Sequence, residues 1–280
     1  MDDGRLIGSA ERRGVSRCCR LVVPCCVGVF VAGCTCVFVW SSVVLAASCG
    51  VAALVAQLLA SVVVLVLATL ALTSLARVAL THPGNPPPNW LALPAYASRP
   101  RQEDEEAPLR ADRVIRYCKH CCDFKPDRTH HCSVLGECVL RFDHFCPWVG
   151  NTVGFYNHKF FLLFCFYTGL LGSFALLCAV VSLLWRTLFD FRLWATLDVV
   201  LGVLGFVGFL FGLTLVSFFV MHVQLIRRNQ TTLEDMKNDR RWDLGSAKEN
   251  WRELMGSQVL WFLPLPASDV GDGVVFGMNF

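Results

Sequence analysis

Six cysteines, Cys118, Cys121, Cys122, Cys132, Cys138 and Cys146, stand among histidines in one polar stretch of the chain. That mixture reads as metal binding and thiol chemistry in a reducing compartment. Its first part, Tyr117-Cys118-Lys119-His120-Cys121, is a Cys-x2-Cys step followed by His130-His131-Cys132 and Cys138. Tetrahedral Zn²⁺ takes four thiolate or imidazole ligands brought together by short turns, so this is a zinc-binding pattern. The last part, Asp143-His144-Phe145-Cys146-Pro147-Trp148, carries different chemistry. A free cysteine, with a pKa of about 8.5, is mostly protonated at neutral pH, and only its thiolate is a good nucleophile. His144 can act as the base for Cys146, and Asp143 can hold that imidazole in the right tautomer and stabilise its cation. Neighbours on an extended strand face opposite ways, so the three groups converge only if the chain bends there. Pro147 keeps the backbone of Cys146 extended.

The elements that must position these residues are membrane helices. The 280 residues are 55% hydrophobic, above the roughly 45–50% of soluble domains, and mean hydropathy is +0.51. A net charge of +3 without a dense Lys/Arg block excludes a nucleic-acid binder. The fifteen cysteines are odd in number, and eight (Cys19, Cys25, Cys26, Cys34, Cys36, Cys49, Cys165 and Cys178) lie in apolar runs or at their edges, as small hydrophobes rather than a disulfide scaffold. From Leu21 to Ala76 there is no charged residue over 56 positions. Since one spanning helix needs about 20 residues, this run holds two, near Leu21–Trp40 and Val51–Leu75, with a turn around Ser41–Gly50. Phe160–Trp185 and Val199–Ile226 supply the third and fourth.

Basic residues divide 23 to 2 between the two sides this arrangement defines, with Arg186 and Arg192 alone on the poorer side. The positive-inside rule therefore puts both tails and the central loop in the cytosol. The acidic run Glu103–Glu106 reads as a solvated face, and Thr81–Pro88 is a linker too rich in proline to be helical. The fold class is an α-helical integral membrane protein with four transmembrane helices and a cytosolic zinc-binding cysteine-rich domain between helices 2 and 3. Its divisions are a tail over 1–20, spans 1 and 2 over 21–80, the loop over 81–159 (cysteine-rich from about 116), spans 3 and 4 over 160–226, and a tail over 227–280.

Several motifs in order strongly resemble the DHHC family of protein palmitoyltransferases: the cysteine-rich stretch, Asn151-Thr152-Val153-Gly154, Thr231-Thr232-Leu233-Glu234 after the fourth span, and Asn250-Trp251. The resemblance implies a protein S-acyltransferase in which Cys146 takes a long-chain fatty acyl group from acyl-CoA and passes it to cysteines of membrane-associated proteins, with Asp143 and His144 completing the catalytic group. The signature here is Asp-His-Phe-Cys, and the histidine lost is, in the family, a zinc ligand. The family's first zinc set maps onto Cys118, Cys121, His131 and Cys138, all present. Its second maps onto Cys132, Leu135, Phe145 and Thr152, of which only Cys132 is a zinc ligand by chemistry. One structural zinc is expected rather than two, with Leu135 and Phe145 as an apolar plug. Lys125, Arg128 and His130 are candidates for the CoA phosphates, Thr231 and Glu234 for support of the site, and Asn250 for a packing anchor. An endomembrane (Golgi or ER) or the plasma membrane would house the protein, in contact with the bilayer, acyl-CoA and protein substrates. The rival reading is a catalytically inactive zinc-binding membrane adaptor, against which the retained Asp143, His144 and Cys146 argue.

Overall fold

A computed structural model describes residues 16–47, 50–102, 114–189, 196–257 and 260–277. The acidic run at 103–106 and the basic residues Arg5, Arg12, Arg13 and Arg192 lie outside the described residues. In chain order the elements are α1 (Arg17–Ala47), α2 (Val51–Leu80), a 3₁₀ turn (Trp90–Ala92), α3 (Pro94–Ala97), seven short strands, and α4 (His158–Phe189), α5 (Thr196–Arg227), α6 (Thr232–Met236) and α7 (Ala247–Met255). The strands are β1 (Arg101–Gln102), β2 (Ile115–Cys118), β3 (Asp123–Lys125), β4 (His130–Cys132), β5 (Glu137–Val139), β6 (His144–Cys146) and β7 (Asn151–Val153). They pair as β1-β2-β3, β4-β5 and β6-β7, the last two being antiparallel hairpins.

Cys18–Val44, Val51–Leu80, His158–Leu184 and Val199–Arg227 are long and apolar enough to cross a membrane. The cysteine-rich segment lies between the second and third, as the sequence implies. α1 runs past the expected turn at Ser41, because Ser41 and Ser42 return their hydroxyls to the carbonyls of Val37, Phe38 and Val39 and so stay compatible with a helix. α4 is the central helix: 56% of its apolar window is buried against 17% in each of the other three. It meets α5 backbone to backbone through glycines, so closely that a Cβ on Gly172 would lie 2.1 Å from the carbonyl oxygen of Gly208. Small residues permit this approach between membrane helices, where packing rather than hydrophobicity drives association.

The start of α1, the end of α2, the start of α4 and the end of α5 gather at one end of the bundle, beneath the strands. Pro24 has no N–H for the carbonyl of Arg20 one turn back, and the turn after β6 comes in over that carbonyl at Gly150, where a Cβ would clash at 2.0 Å. The last carbonyls of α2 are also met from the strand domain. Asn151 donates to Val78, Ala79 and Thr81, and Asn157 donates to Val78 and Thr81. Above this seam a second core of Trp90, Tyr96, Ile115, Leu140, Phe155 and Trp242 is closed by Val274 and Phe276 from the C-terminal segment.

Candidate active site and metal site

The hairpins β2-β3 and β4-β5 bring four donors together. Cys118 ends β2, Cys121 lies in the following turn, and His131 and Cys138 are paired directly across β4 and β5. One ligand atom from each lies within 4.8 Å of the others, and the Cys121 Sγ to His131 Nδ1 distance is 3.3 Å. Cys122 takes a left-handed backbone (φ 53°) that turns the chain back toward β3. Burial and the neighbouring sulfurs of Cys118 and Cys121 push the Cys138 thiol up. Three thiols so close ionise together only beside a cation, and a three-sulfur, one-imidazole set is a donor set for a tetrahedral metal ion. The second family set forms no such group. Cys132 Sγ instead shares a hydrogen bond with the buried Thr152 Oγ1 at 3.0 Å, and the side chains of Leu135 and Phe145 are partly buried.

β6 carries His144 and Cys146 two positions apart, and therefore on one face. Asp143 sits just before the strand, its N–H donating to Val153 at 3.0 Å. This is where the required bend falls. Arg141, two residues earlier, has a left-handed backbone (φ 44°), a conformation that non-glycine residues adopt at strained, structurally determined positions. His144 Nδ1 lies 2.7 Å from Asp143 Oδ2, and the same imidazole hydrogen-bonds Cys146. Burial lowers the His144 pKa, but the hydrogen bonds to Asp143 and Cys146 outweigh it and hold the group up at about 9. For Asp143, burial alone would raise the carboxyl, and the bond from His144 reverses this to well below the usual carboxylate range. Cys146 faces an apolar cluster of Leu75, Val78, Phe160, Phe161 and Phe164, with Val27, Leu215 and Phe219 packed around it. A thiol and its base thus stand against an apolar cluster to which all four long helices contribute.

Thr231 and Glu234 form a capping box at the start of α6: Thr231 Oγ1 accepts from the Glu234 N–H, and the Glu234 carboxylate accepts from the Thr231 N–H. The neighbouring Thr232 makes the direct contact to Asp143, donating through its N–H at 2.9 Å and its hydroxyl at 2.8 Å. Asn250 binds the last turn of α5, donating to the Arg227 carbonyl at 2.8 Å, and accepts from the Leu244 N–H.

The three residues expected to meet the CoA phosphates are placed as follows. Arg128 is 3% exposed and is occupied by Glu234, through Nε and Nη2 at 2.8 Å each, and by the side chain and carbonyl of Asn229. Its guanidinium also lies over the rings of Trp242 and Phe276. Lys125 is buried as well, at 5% exposure. Burial and the nearby cations Arg116, Lys237 and Lys125 hold His130 well below its ordinary value, so it is neutral. Lys125 and Arg128 are thus parts of the domain's interior, whereas His130 is partly exposed.

Sequence reasoning passed over Thr232, Arg141, His158 and His222. His158 and His222 are 0% and 1% exposed at the ends of α4 and α5, and each places a ring nitrogen within 4.8 Å of an Asp143 oxygen. A signal existed for His222: an ionisable residue inside an apolar span is rare and marks a functional interior. Thr232 was marked only as a member of the Thr231-Thr232-Leu233-Glu234 motif, with no role of its own, and Arg141 carries no comparable mark, being an ordinary loop arginine.

A cysteine, an imidazole and a buried carboxylate thus stand together at the end of four membrane-capable helices, beside a cysteine-rich cluster that could hold a metal ion. Residues 113–239 match the family model of the DHHC palmitoyltransferases. The chain is 41% identical over 165 residues to "Probable protein S-acyltransferase 13" of Arabidopsis thaliana, covering 55% of this chain and 53% of that protein. It is 37% identical over 178 residues to "Palmitoyltransferase ZDHHC20" of Homo sapiens (59% and 47%) and 35% identical over 204 residues to "Probable protein S-acyltransferase 14" of Arabidopsis thaliana (66% and 64%). The chain spans about half the length of most of the curated relatives it matches.

Proposed function

We propose that the chain is a protein S-palmitoyltransferase working through an acyl-enzyme on Cys146. The observation that carries the reading is the Asp143–His144–Cys146 alignment opening onto the apolar cluster between the helices. His144 takes the proton of the Cys146 thiol, and the thiolate attacks the carbonyl carbon of a long-chain acyl-CoA thioester. The bond from that carbon to the CoA sulfur breaks, and the departing thiolate takes the proton from His144. In the second half His144 deprotonates the cysteine of a membrane-associated protein. That sulfur attacks the Cys146 thioester, and Cys146 recovers its proton. Asp143, held by Thr232, keeps the imidazole oriented and favours its cation in both halves. The fatty chain lies among Leu75, Val78, Phe161 and Phe164.

Cys118, Cys121, His131 and Cys138 would hold one structural Zn²⁺, which would tie the β2-β3 hairpin to the β4-β5 hairpin that precedes the Asp143–Cys146 segment. The 23-to-2 division of basic residues supports a cytosolic location for both tails and for the domain over 81–159, in an endomembrane or the plasma membrane. Protease protection of tags at each end tests the sidedness, and a protected N-terminal tag beside an accessible C-terminal one would refute it. The activity is tested by incubating the purified chain with labelled palmitoyl-CoA and an acceptor protein. Hydroxylamine-sensitive label should appear on the enzyme and then on the acceptor, and Cys146→Ser should abolish transfer. Undiminished transfer by Cys146→Ser would move the nucleophile elsewhere.

A further inference from the structure

His158 and His222 take no part in the chemistry above, yet their positions fix their protonation. His158 Nδ1 lies 2.9 Å from Arg141 Nη1, and His158 Nε2 lies 3.2 Å from His222 Nδ1. A guanidinium offers donors only. His158 Nδ1 must therefore be bare and accept, and a neutral imidazole with one bare nitrogen carries its proton on the other. His158 Nε2 then donates to His222 Nδ1, which leaves the proton of His222 on its own Nε2. The hydrogen bonds run one way, from Arg141 to His158 to His222, and both imidazoles are neutral.

Asp143, His158 and His222 are grouped closely enough to suggest a metal site. The proton placement argues otherwise. With Nδ1 accepting from Arg141 and Nε2 protonated, His158 has no lone pair left for an ion, and the Arg141 guanidinium beside it would repel one.

Arg141 is 2% exposed and forms no ion pair among the described residues. The buried carboxylate beside the relay is that of Asp143. The relay's last ring also touches the catalytic one. His222 and His144 lie 5.8 Å apart, centroid to centroid, and both meet the ring of Phe161, at 5.1 and 5.2 Å. We propose that His158 and His222 are positioning residues for acyl transfer, a neutral relay oriented by Arg141 that holds Asp143 and the His144 ring in register with Cys146. The role rests on the transferase reading; the direction of the relay does not.

The test uses the full chain in detergent, with single-turnover formation of the Cys146 acyl-enzyme from palmitoyl-CoA as the readout. His158→Phe should slow it about 10- to 100-fold, the range expected when a catalytic group is displaced by a fraction of an ångström to an ångström. His158→Gln, whose amide accepts from Arg141 and donates to His222, should recover most of the rate with metal content unchanged. A Gln variant as slow as the Phe variant, a Phe variant as fast as the parent, or one metal ion lost from either would overturn the proposal. Should His158→Phe not fold, ¹⁵N spectra of histidine-labelled parent chain decide, assigned with His158→Gln and His222→Gln. Both residues should be neutral Nε2–H tautomers at pH 7. A protonated or Nδ1–H ring at either position refutes the relay. No acyl-enzyme from the parent chain would refute the transferase reading and the role with it, while the tautomers would still judge the relay.

Discussion

Replacing Arg128 by methionine separates a structural arginine from one that binds CoA. The guanidinium and the Glu234 carboxylate form a bidentate pair in which the arginine side chain is 0% and the glutamate 8% exposed. Arg128→Met keeps the length and apolar body of the side chain but leaves Glu234 ionised and buried with only the N–H of Thr231 to satisfy it. Breaking one side of a buried pair costs about 3–5 kcal/mol, most of it the penalty of the abandoned charge. At about 2–4 °C per kcal/mol for a chain of this size, the apparent melting temperature in detergent should fall by on the order of 10 °C. Arg128→Met with Glu234→Leu removes both charges and should recover a good part of that loss. The KM for palmitoyl-CoA, measured at a temperature where the single variant is folded, should stay within about threefold of the parent, since a lost bidentate phosphate contact would be worth more than 1.4 kcal/mol and hence over tenfold. An unchanged melting temperature with a KM raised tenfold would refute the structural assignment and return Arg128 to the phosphates.

Cys121→Ala should lower both zinc content and activity, because it removes one of four donors, whereas Cys132→Ala should leave zinc near one per chain. A parent stoichiometry near two would show that the ligand assignment is wrong. His144 is raised in the fold from its ordinary value of 6.5 to about 9. The stabilisation it draws from Asp143 is therefore complete below about pH 6.5 and is lost as pH climbs through about 9. Melting temperatures of the parent should fall across that window and those of Asp143→Asn should not, and a flat parent profile would count against the ion pair. Gly172→Val should separate α4 from α5, given the 2.1 Å clash that even a Cβ meets, and should lower the yield of folded protein far more than Gly33→Val, where a Cβ meets nothing within 4 Å. Comparable yields would argue against the close crossing.

The spans were legible because lipid leaves so little choice. A chain in the bilayer must satisfy its backbone within a helix, so an uncharged run of 56 residues could hold little else. The Cys-x2-Cys step at Cys118 and Cys121 was legible as a metal-binding pattern because metal geometry imposes short spacings, whereas the grouping of His131 and Cys138 with them came only from the family resemblance, and the fold brings the four together. The burial of Arg128 was not legible for a related reason. A basic residue in a polar loop looks exposed until its partner is known, and Glu234 lies 106 residues further along. The contact made by Thr232 escaped notice because its target, Asp143, is 89 residues away across a whole helical hairpin. Pairwise contacts at that separation leave no periodicity in a single sequence. The length of α1 was underestimated because serines read as turn formers, although in a helix they fold their hydroxyls onto the preceding turn.

The two anchors Asp143–Thr232 and Arg128–Glu234 share a layout with consequences for biosynthesis. In each, one partner is made before α4 and the other after α5, so the intervening hairpin must already lie across the bilayer with its two ends on the same side before either contact can form. A newly made chain holds its reactive cysteine from the moment the loop emerges, but its carboxylate is not locked in place until the last span has been inserted in the right direction. A chain whose hairpin stalls in the translocon, or enters inverted, keeps Glu234 and Thr232 out of reach. The loop then presents an arginine and an aspartate without these two partners.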